Sequence, residues 1–300
     1  MQLKPIVAGV CLGMVALGAR ADYLGEVGAN VLTSSTKYSA DYSADLTDDG
    51  NLNQVYGQVF LGTVRTAGVP IREAAFLSRQ SMLQLSQINA TDKLKINGYS
   101  VGDTIKTSQS LLTTRFVVSD ADVILGFAVG KEQQKDVYDT DIRGIQIGKY
   151  LDADAAVTLS YEANKVQPKQ SIGNDAVTEK TITLAYHQVN ESDQDQQSAL
   201  DLLVSDYDDG NGFKKTVFNG GLTFYPYREF GMGAHLLFGT GSDNSYDYTS
   251  GALSADVSYE FTDSFGVLAK VQSLEEKRRS VQGNQKSNPT SFQVGAALRF

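Results

Sequence analysis

Long stretches in which apolar and polar side chains alternate residue by residue are what most limit the fold open to this chain. In Leu253–Phe261 one face carries Leu253, Ala255, Val257, Tyr259 and Phe261, and the other Ser254, Asp256, Ser258 and Glu260. Ala155–Ala163 and Phe292–Phe300 repeat the pattern. A helical period would mix the two sets; a strand separates them. Each segment is about as long as a tilted strand needs to cross a bilayer, roughly 9–11 residues. A membrane helix is excluded on length, since it needs about 18 or more consecutive apolar residues. The longest apolar run here, Ile6–Leu17, is shorter and broken by Gly9 and Gly13. A hydrophobic content of 41% is ordinary for a folded chain and argues against wholesale disorder. The formal charge of −9 argues against a nucleic-acid groove, which needs clustered Lys and Arg.

Fourteen segments fit the alternating template, near 22–33, 54–66, 74–88, 104–118, 123–131, 141–151, 155–167, 179–189, 198–207, 214–225, 229–241, 251–261, 264–276 and 290–300. The intervening stretches alternate between longer polar ones, such as 34–53, 89–103 and 277–289, and shorter ones, such as 67–73, 119–122 and 262–263. Long loops at one end and tight turns at the other belong to an all-β, up-and-down antiparallel transmembrane barrel. A soluble sandwich has no reason to keep that alternation. Segment 74–88 fits least well, because Arg79 shares a face with Leu77, Leu83 and Leu85. A bulge or shorter strand is expected there, and twelve strands stand as the alternative count. Tyr23, Tyr150, Tyr225, Tyr227, Phe230, Phe261 and Phe265 lie near segment ends, as expected for the aromatic girdles of such a barrel.

The apolar run has a separate reading. Lys4 precedes it and Ala19-Arg20-Ala21 follows it, the order of charge, apolar stretch and small-x-small site found in an export signal. Residues 1–21 are therefore expected to be removed, leaving 22–300 as one barrel domain. The remaining chain carries 24 basic and 35 acidic residues, a formal −11. Cys11, the one cysteine, leaves with the signal, so no disulfide is expected.

Taken together, the export signal, the alternating strands and the terminal Phe300 resemble the outer-membrane β-barrels of Gram-negative bacteria. The resemblance implies that the last strand is a signal read by the barrel assembly machinery, with Gly295, Leu298 and Phe300 at its glycine and hydrophobic positions. Val294 departs from it, standing where a polar residue is usual. Pro70–Arg79 is also similar to the turn-to-strand segment of a poorly characterised group of porins. The partners implied are outer-membrane lipids and lipopolysaccharide, the assembly machinery and small hydrophilic solutes.

Catalysis has little to draw on. His187 and His235 are the two histidines, and neither has an acid or nucleophile at a telling spacing along the chain. No zinc or calcium pattern is present. Asp45, Asp48 and Asp49, and Asp206, Asp208 and Asp209 before Gly210, read as turn residues. No enzyme, cofactor or metal is expected. Function is expected on the inner face, where the alternation places Glu26, Arg115, Glu162, His187, Asp201, His235, Asp256, Glu260, Lys270 and Arg299, with Arg79 unassigned. A bore of fourteen strands is too wide to fill with side chains alone. The expected function is thus a water-filled porin for passive diffusion of small hydrophilic solutes, with mild cation preference from acidic loops. A non-conducting structural or surface-binding barrel is the alternative. Within the porin reading an inward loop could narrow the bore, and Asp256→Arg should fold almost normally but change conductance, because Asp256 faces water.

Overall fold

Pairing alternating segments antiparallel gathers every apolar position on one surface and every polar position on the other. A computed structural model shows this arrangement for residues 22–40, 46–96, 99–100, 102–169, 176–191, 196–243, 245–280 and 283–300. The strands are β1 (Tyr23–Ala40), β2 (Leu46–Val64), β3 (Met82–Ile96), β4 (Tyr99–Ser100), β5 (Ile105–Val118), β6 (Val123–Gln134), β7 (Tyr138–Asp152) and β8 (Ala155–Pro168). They continue as β9 (Val177–Glu191), β10 (Gln197–Asp208), β11 (Lys214–Tyr227), β12 (Phe230–Ser242), β13 (Tyr246–Thr262), β14 (Phe265–Ser280) and β15 (Gly283–Arg299). The two-residue β4 only extends the β3 hairpin. The other fourteen form one antiparallel ring in chain order, closed where β1 pairs with β15 from Glu26↔Arg299 to Ala40↔Gln285. Phe300 finishes the seam: its carbonyl accepts from the Leu24 and Gly25 amides, and its amide donates to the Gly25 carbonyl.

The outer surface is apolar. Leu236, Phe238 and Leu253 are 66%, 56% and 60% exposed, a placement only a hydrocarbon surrounding favours. At the lower edge of this band, near the termini, Tyr259 meets Phe261 edge to face and Phe261 stacks on Phe265. Tyr227 and Phe261 are also largely exposed there. Tyr23, Tyr150 and Tyr225 correct the girdle expectation. They point inward and are almost wholly buried: Tyr150 and Tyr225 sit on the inner parity of their strands, and an irregularity between Tyr23 and Gly25 turns Tyr23 inward.

Two further corrections concern the connections. Stretches 34–53, 89–103 and 277–289, expected as long loops, are mostly strand. Above the membrane both strand faces are polar, so the alternation that marked the strands fades while the hydrogen-bonded ladder continues. In segment 74–88, residues 74–81 are not strand at all. Ala74–Leu77 form one helical turn, α1, and β3 begins only at Met82. Residues 1–21, with the expected export signal, lie outside the described residues.

Val257 is central in the apolar band of β13, and its neighbour Asp256 faces inward. Val257→Arg should lower the stability of the inserted barrel by about 2–4 kcal/mol. Urea titration of the barrel in lipid vesicles measures it. A change within error would contradict the register.

Candidate functional site

The connection between β2 and β3 does not turn tightly. Its seventeen residues, 65–81, fold into the lumen. Fourteen strands spaced about 4.8 Å apart and tilted about 40° give a backbone diameter of roughly 28 Å. At about 3.3 Å per residue, seventeen residues are enough to cross that width and return. The segment does cross. It leaves β2 and reaches β9 and β10, which lie on the far side of the ring. Apolar side chains fix its course. Ala74 joins Tyr23, Phe60 and Val64 near β1 and β2, and Phe76 and Leu77 pack against clusters on β6–β8 and β9–β11.

Three charged side chains then tie the segment to the wall. Arg72 Nη1 donates to Asp256 Oδ2 at 3.1 Å, and His235 Nε2 lies 2.7 Å from the other oxygen of the same carboxylate. Glu73 reaches across to His187 Nε2 at 3.1 Å and accepts from the Tyr225 hydroxyl at 2.6 Å. His187 Nδ1 in turn lies 2.6 Å from Asp201. Arg79 pairs with Asp122, donates to the Asp152 carbonyl at 2.6 Å and stacks over the Tyr150 ring. Arg79 and Asp122 both have left-handed backbones (φ 50° and 55°), a conformation that costs an ordinary side chain about 1–2 kcal/mol. The ion pair and ring contact hold them in it. Arg115 donates from the wall to the Ala75 and Gln80 carbonyls at 3.4 and 3.3 Å, and the Tyr150 hydroxyl donates to the Phe76 carbonyl.

Beside the segment lies a buried network at the seam. Arg299 donates to Glu26 at 2.7 Å and to Glu260 at 2.6 Å, while the Tyr56 hydroxyl donates to Glu26 at 2.8 Å. Paired charges are what make burial here tolerable, since an isolated one would cost several kcal/mol. Gly266 and Gly233 make room for it all. A Cβ on either would collide with the Glu260 or the Asp256 carboxylate.

The structure places the inner-face residues as follows. Glu26, Arg115, His187, Asp201, His235, Asp256, Glu260 and Arg299 all belong to these linked contacts. Glu162 accepts from Asn164 on its own strand, and Lys270 is the ladder partner of Asp256. Arg79 is on the inward segment rather than on a strand, and so is the whole stretch Pro70–Arg79. Asp256 is buried against Arg72 and His235 rather than facing open water, which removes the premise of the expected tolerance: Asp256→Arg would set a cation against Arg72. Acids flank both histidines after all, brought there by cross-strand register and by Glu73 from the segment. His187 has both ring nitrogens occupied by carboxylates.

Of the further inner-face groups, Asp48, Asp92 and Glu132 fell in stretches read as loops, while Glu179 and Glu276 stood at the very ends of segments 179–189 and 264–276. Asp48, Asp92, Glu132, Glu179 and Glu276 lie on inner-facing ladder positions toward the end opposite the termini. Register on the extended strands reveals them; alternation alone could not. The Asp208 and Asp209 carboxylates accept turn amides of Gly210, Asn211 and Phe213.

No protein-family model matches the sequence, and no curated protein matches it either. Its fold is shared by a solved outer-membrane protein structure. The outer membrane protein Omp33 of Acinetobacter baumannii is 14% identical, with a TM-score of 0.52 over 93% of this chain and 99% of that one. The in-vitro folded outer membrane protein OmpT of Vibrio cholerae is 10% identical, with a TM-score of 0.44 over 95% and 99%. The KdgM porin is 8% identical, with a TM-score of 0.37 over 90% and 99%.

Removing Glu73 leaves the Tyr225 hydroxyl and the His187 ring without their partner, a loss of about 1–3 kcal/mol. Glu73→Ala should therefore loosen residues 65–81 without opening the barrel. Limited trypsin digestion should cut faster at Arg72 and Arg79 while the barrel keeps its heat-modifiable mobility in gels. Unchanged cleavage would show that Glu73 does not hold the segment.

Proposed function

We propose that this chain is an outer-membrane channel of the porin kind, through which small hydrophilic solutes diffuse passively, with residues 65–81 setting the constriction. The observation that carries this reading is a wide, closed, polar-lined barrel crossed by one segment rather than filled by its own side chains. Beyond the segment, Asn30, Gln54, Gln272 and Gln293 line the bore and remain partly exposed. The reading is non-enzymatic: both ring nitrogens of His187 are taken up by carboxylates, which leaves neither to accept a proton from a substrate.

Charge gives the channel a preference. Toward the end opposite the termini the inner face carries Asp48, Asp92, Glu132, Glu179 and Glu276 against Lys215 and Arg278. Such a vestibule concentrates cations within a Debye length of about 8–10 Å. Planar-bilayer recording of residues 22–300 should show small, weakly cation-preferring steps whose preference fades in concentrated salt. Replacing residues 66–80 by a short Gly-Ser turn should enlarge the steps several-fold. Absence of current from both proteins would overturn the channel reading in favour of a structural barrel.

Export and assembly complete the proposal. The mature protein should begin Asp-Tyr-Leu-Gly by N-terminal sequencing, which places cleavage after Ala21. Gly295, Leu298 and Phe300 serve as the signal to the assembly machinery. Deleting Phe300 should reduce folded barrel in the outer membrane more than it reduces synthesis, and equal reductions would count against that role.

A further inference from the structure

Above the apolar band, toward the end opposite the termini, the inner face of β2, β3 and β5 carries exposed apolar side chains. Leu46 and Ile96 are ladder partners, as are Leu94 with Asp48 and Ile105 with Asp92. Tyr38 adjoins Leu46 from β1. Leu94, Ile96 and Ile105 are 39%, 37% and 45% exposed. Lys93, Lys95 and Lys106 on the same strands belong to the other face, where Lys95 pairs with Asp49. The apolar patch therefore faces the lumen, a water-filled side on which its exposure gains nothing.

Two acids are set into the patch. Asp92 leans over its ladder partner Gly50, where a Cβ would stand 2.8 Å from Asp92 Oδ1. Gly50 is two residues from Asp48 along β2, which brings the two carboxylates to roughly 7 Å. Neither carboxylate has a hydrogen bond or ion pair among the described residues, and Asp48 Oδ1 is buried without a partner. The other vestibule acids are held by neutral donors: Glu132 by Gln109 and Tyr138, Glu276 by Tyr248 and Ser287, and Glu179 by Tyr207. The inward basic groups there, Lys215 and Arg278, lie over the rings of Tyr207, Tyr248 and Tyr246. Burial and the neighbouring Asp48 push the Asp92 carboxyl up, as expected of two acids with no cation between them.

Exposed hydrocarbon beside two uncompensated carboxylates complements a ligand that is itself hydrocarbon carrying positive charge. We propose that this patch on the inner wall of β1–β5 binds aliphatic amines. Their ammonium groups meet Asp48 and Asp92, and their carbon chain lies against Leu94, Ile96 and Ile105. An inorganic cation would answer the acids and leave the apolar side chains in water; a neutral apolar solute would do the reverse. The site names the class of solute that the acidic vestibule gathers. It rests on the channel reading for its place on a solute's path, whereas binding itself needs no current.

The test is isothermal titration calorimetry of the folded protein in detergent, corrected for heat in protein-free detergent, with diaminooctane, diaminopropane and octanediol as probes. Wild type should bind the long diamine on the order of tenfold more tightly than the short one, because charge is equal and only buried methylene differs. The diol should give no binding. D48N/D92N should lose both diamines, and L94S/I96S/I105S should bind the two alike. E162Q, on β8, should behave as wild type. Variants are compared once heat-modifiable mobility shows a folded barrel, and the wild-type series decides alone if they do not fold. Equal affinity of wild type for the two diamines, or a diol bound as tightly as the long diamine, would overturn the site. So would unchanged binding by D48N/D92N, or a chain-length dependence kept by L94S/I96S/I105S. Bilayer currents on the same preparations separate the two readings: current without diamine binding overturns this site alone, and diamine binding without current overturns the channel alone.

Discussion

A strand in hydrocarbon has no water to take up its amides and carbonyls, so each must be bonded to a neighbouring strand. Leaving such groups unbonded costs several kcal/mol apiece, which forbids an edge anywhere in the sheet. In this chain the requirement falls hardest on the pairing of β1 with β15, because only there must the two ends of the sequence find one another. The seam is made over fifteen partnered positions, and Phe300 extends it by three further backbone bonds. Arg299 adds a second, side-chain closure. It spans from Glu26 on β1 to Glu260 on β13, so that the first strand and two of the last three share one buried charge network.

Closing the wall raises a second problem inside it. An inner face rich in carboxylates and basic groups is stable when it meets water or an opposite charge. Near the termini it meets residues 65–81. Arg72, Glu73 and Arg79 each find an oppositely charged or hydrogen-bonding group on a different part of the wall, and Phe76 and Leu77 fill the apolar gaps between them. The segment and the wall thus satisfy each other. Any movement that widens the bore has to break these contacts together or leave charges uncompensated.

Much of the architecture was legible in the sequence because a period of two is a direct consequence of a sheet with unlike faces. Asp256 and Val257, or His235 and Leu236, could be assigned to opposite faces from their neighbours alone. Alternation fails where its cause is absent. On the polar extensions of β1–β3 and β13–β15 both faces meet polar surroundings, so Asp48 and Asp92 looked like loop residues. It misleads at Leu77 and Arg79 for a different reason. There the apolar side chains serve contacts made across the lumen, far apart in sequence, and Glu73 carries no local sign that its partners are His187 and Tyr225. The aromatic residues show the same limit: Phe261 and Tyr150 both lie near strand ends, and only parity in the finished ladder separates a membrane-facing ring from one buried under the segment.

The central claim is that residues 65–81, held against the wall, determine what passes. It is tested most directly by fastening the segment in place and releasing it within one recording. Arg72→Cys with Asp256→Cys introduces two thiols into residues 22–300, which contain no cysteine of their own. A reducible bifunctional tether replaces the contact Arg72 made. Single-channel current should stay low while the tether is intact and rise, beyond the wild-type level, once reductant cuts it. The same current before and after cleavage would contradict the account.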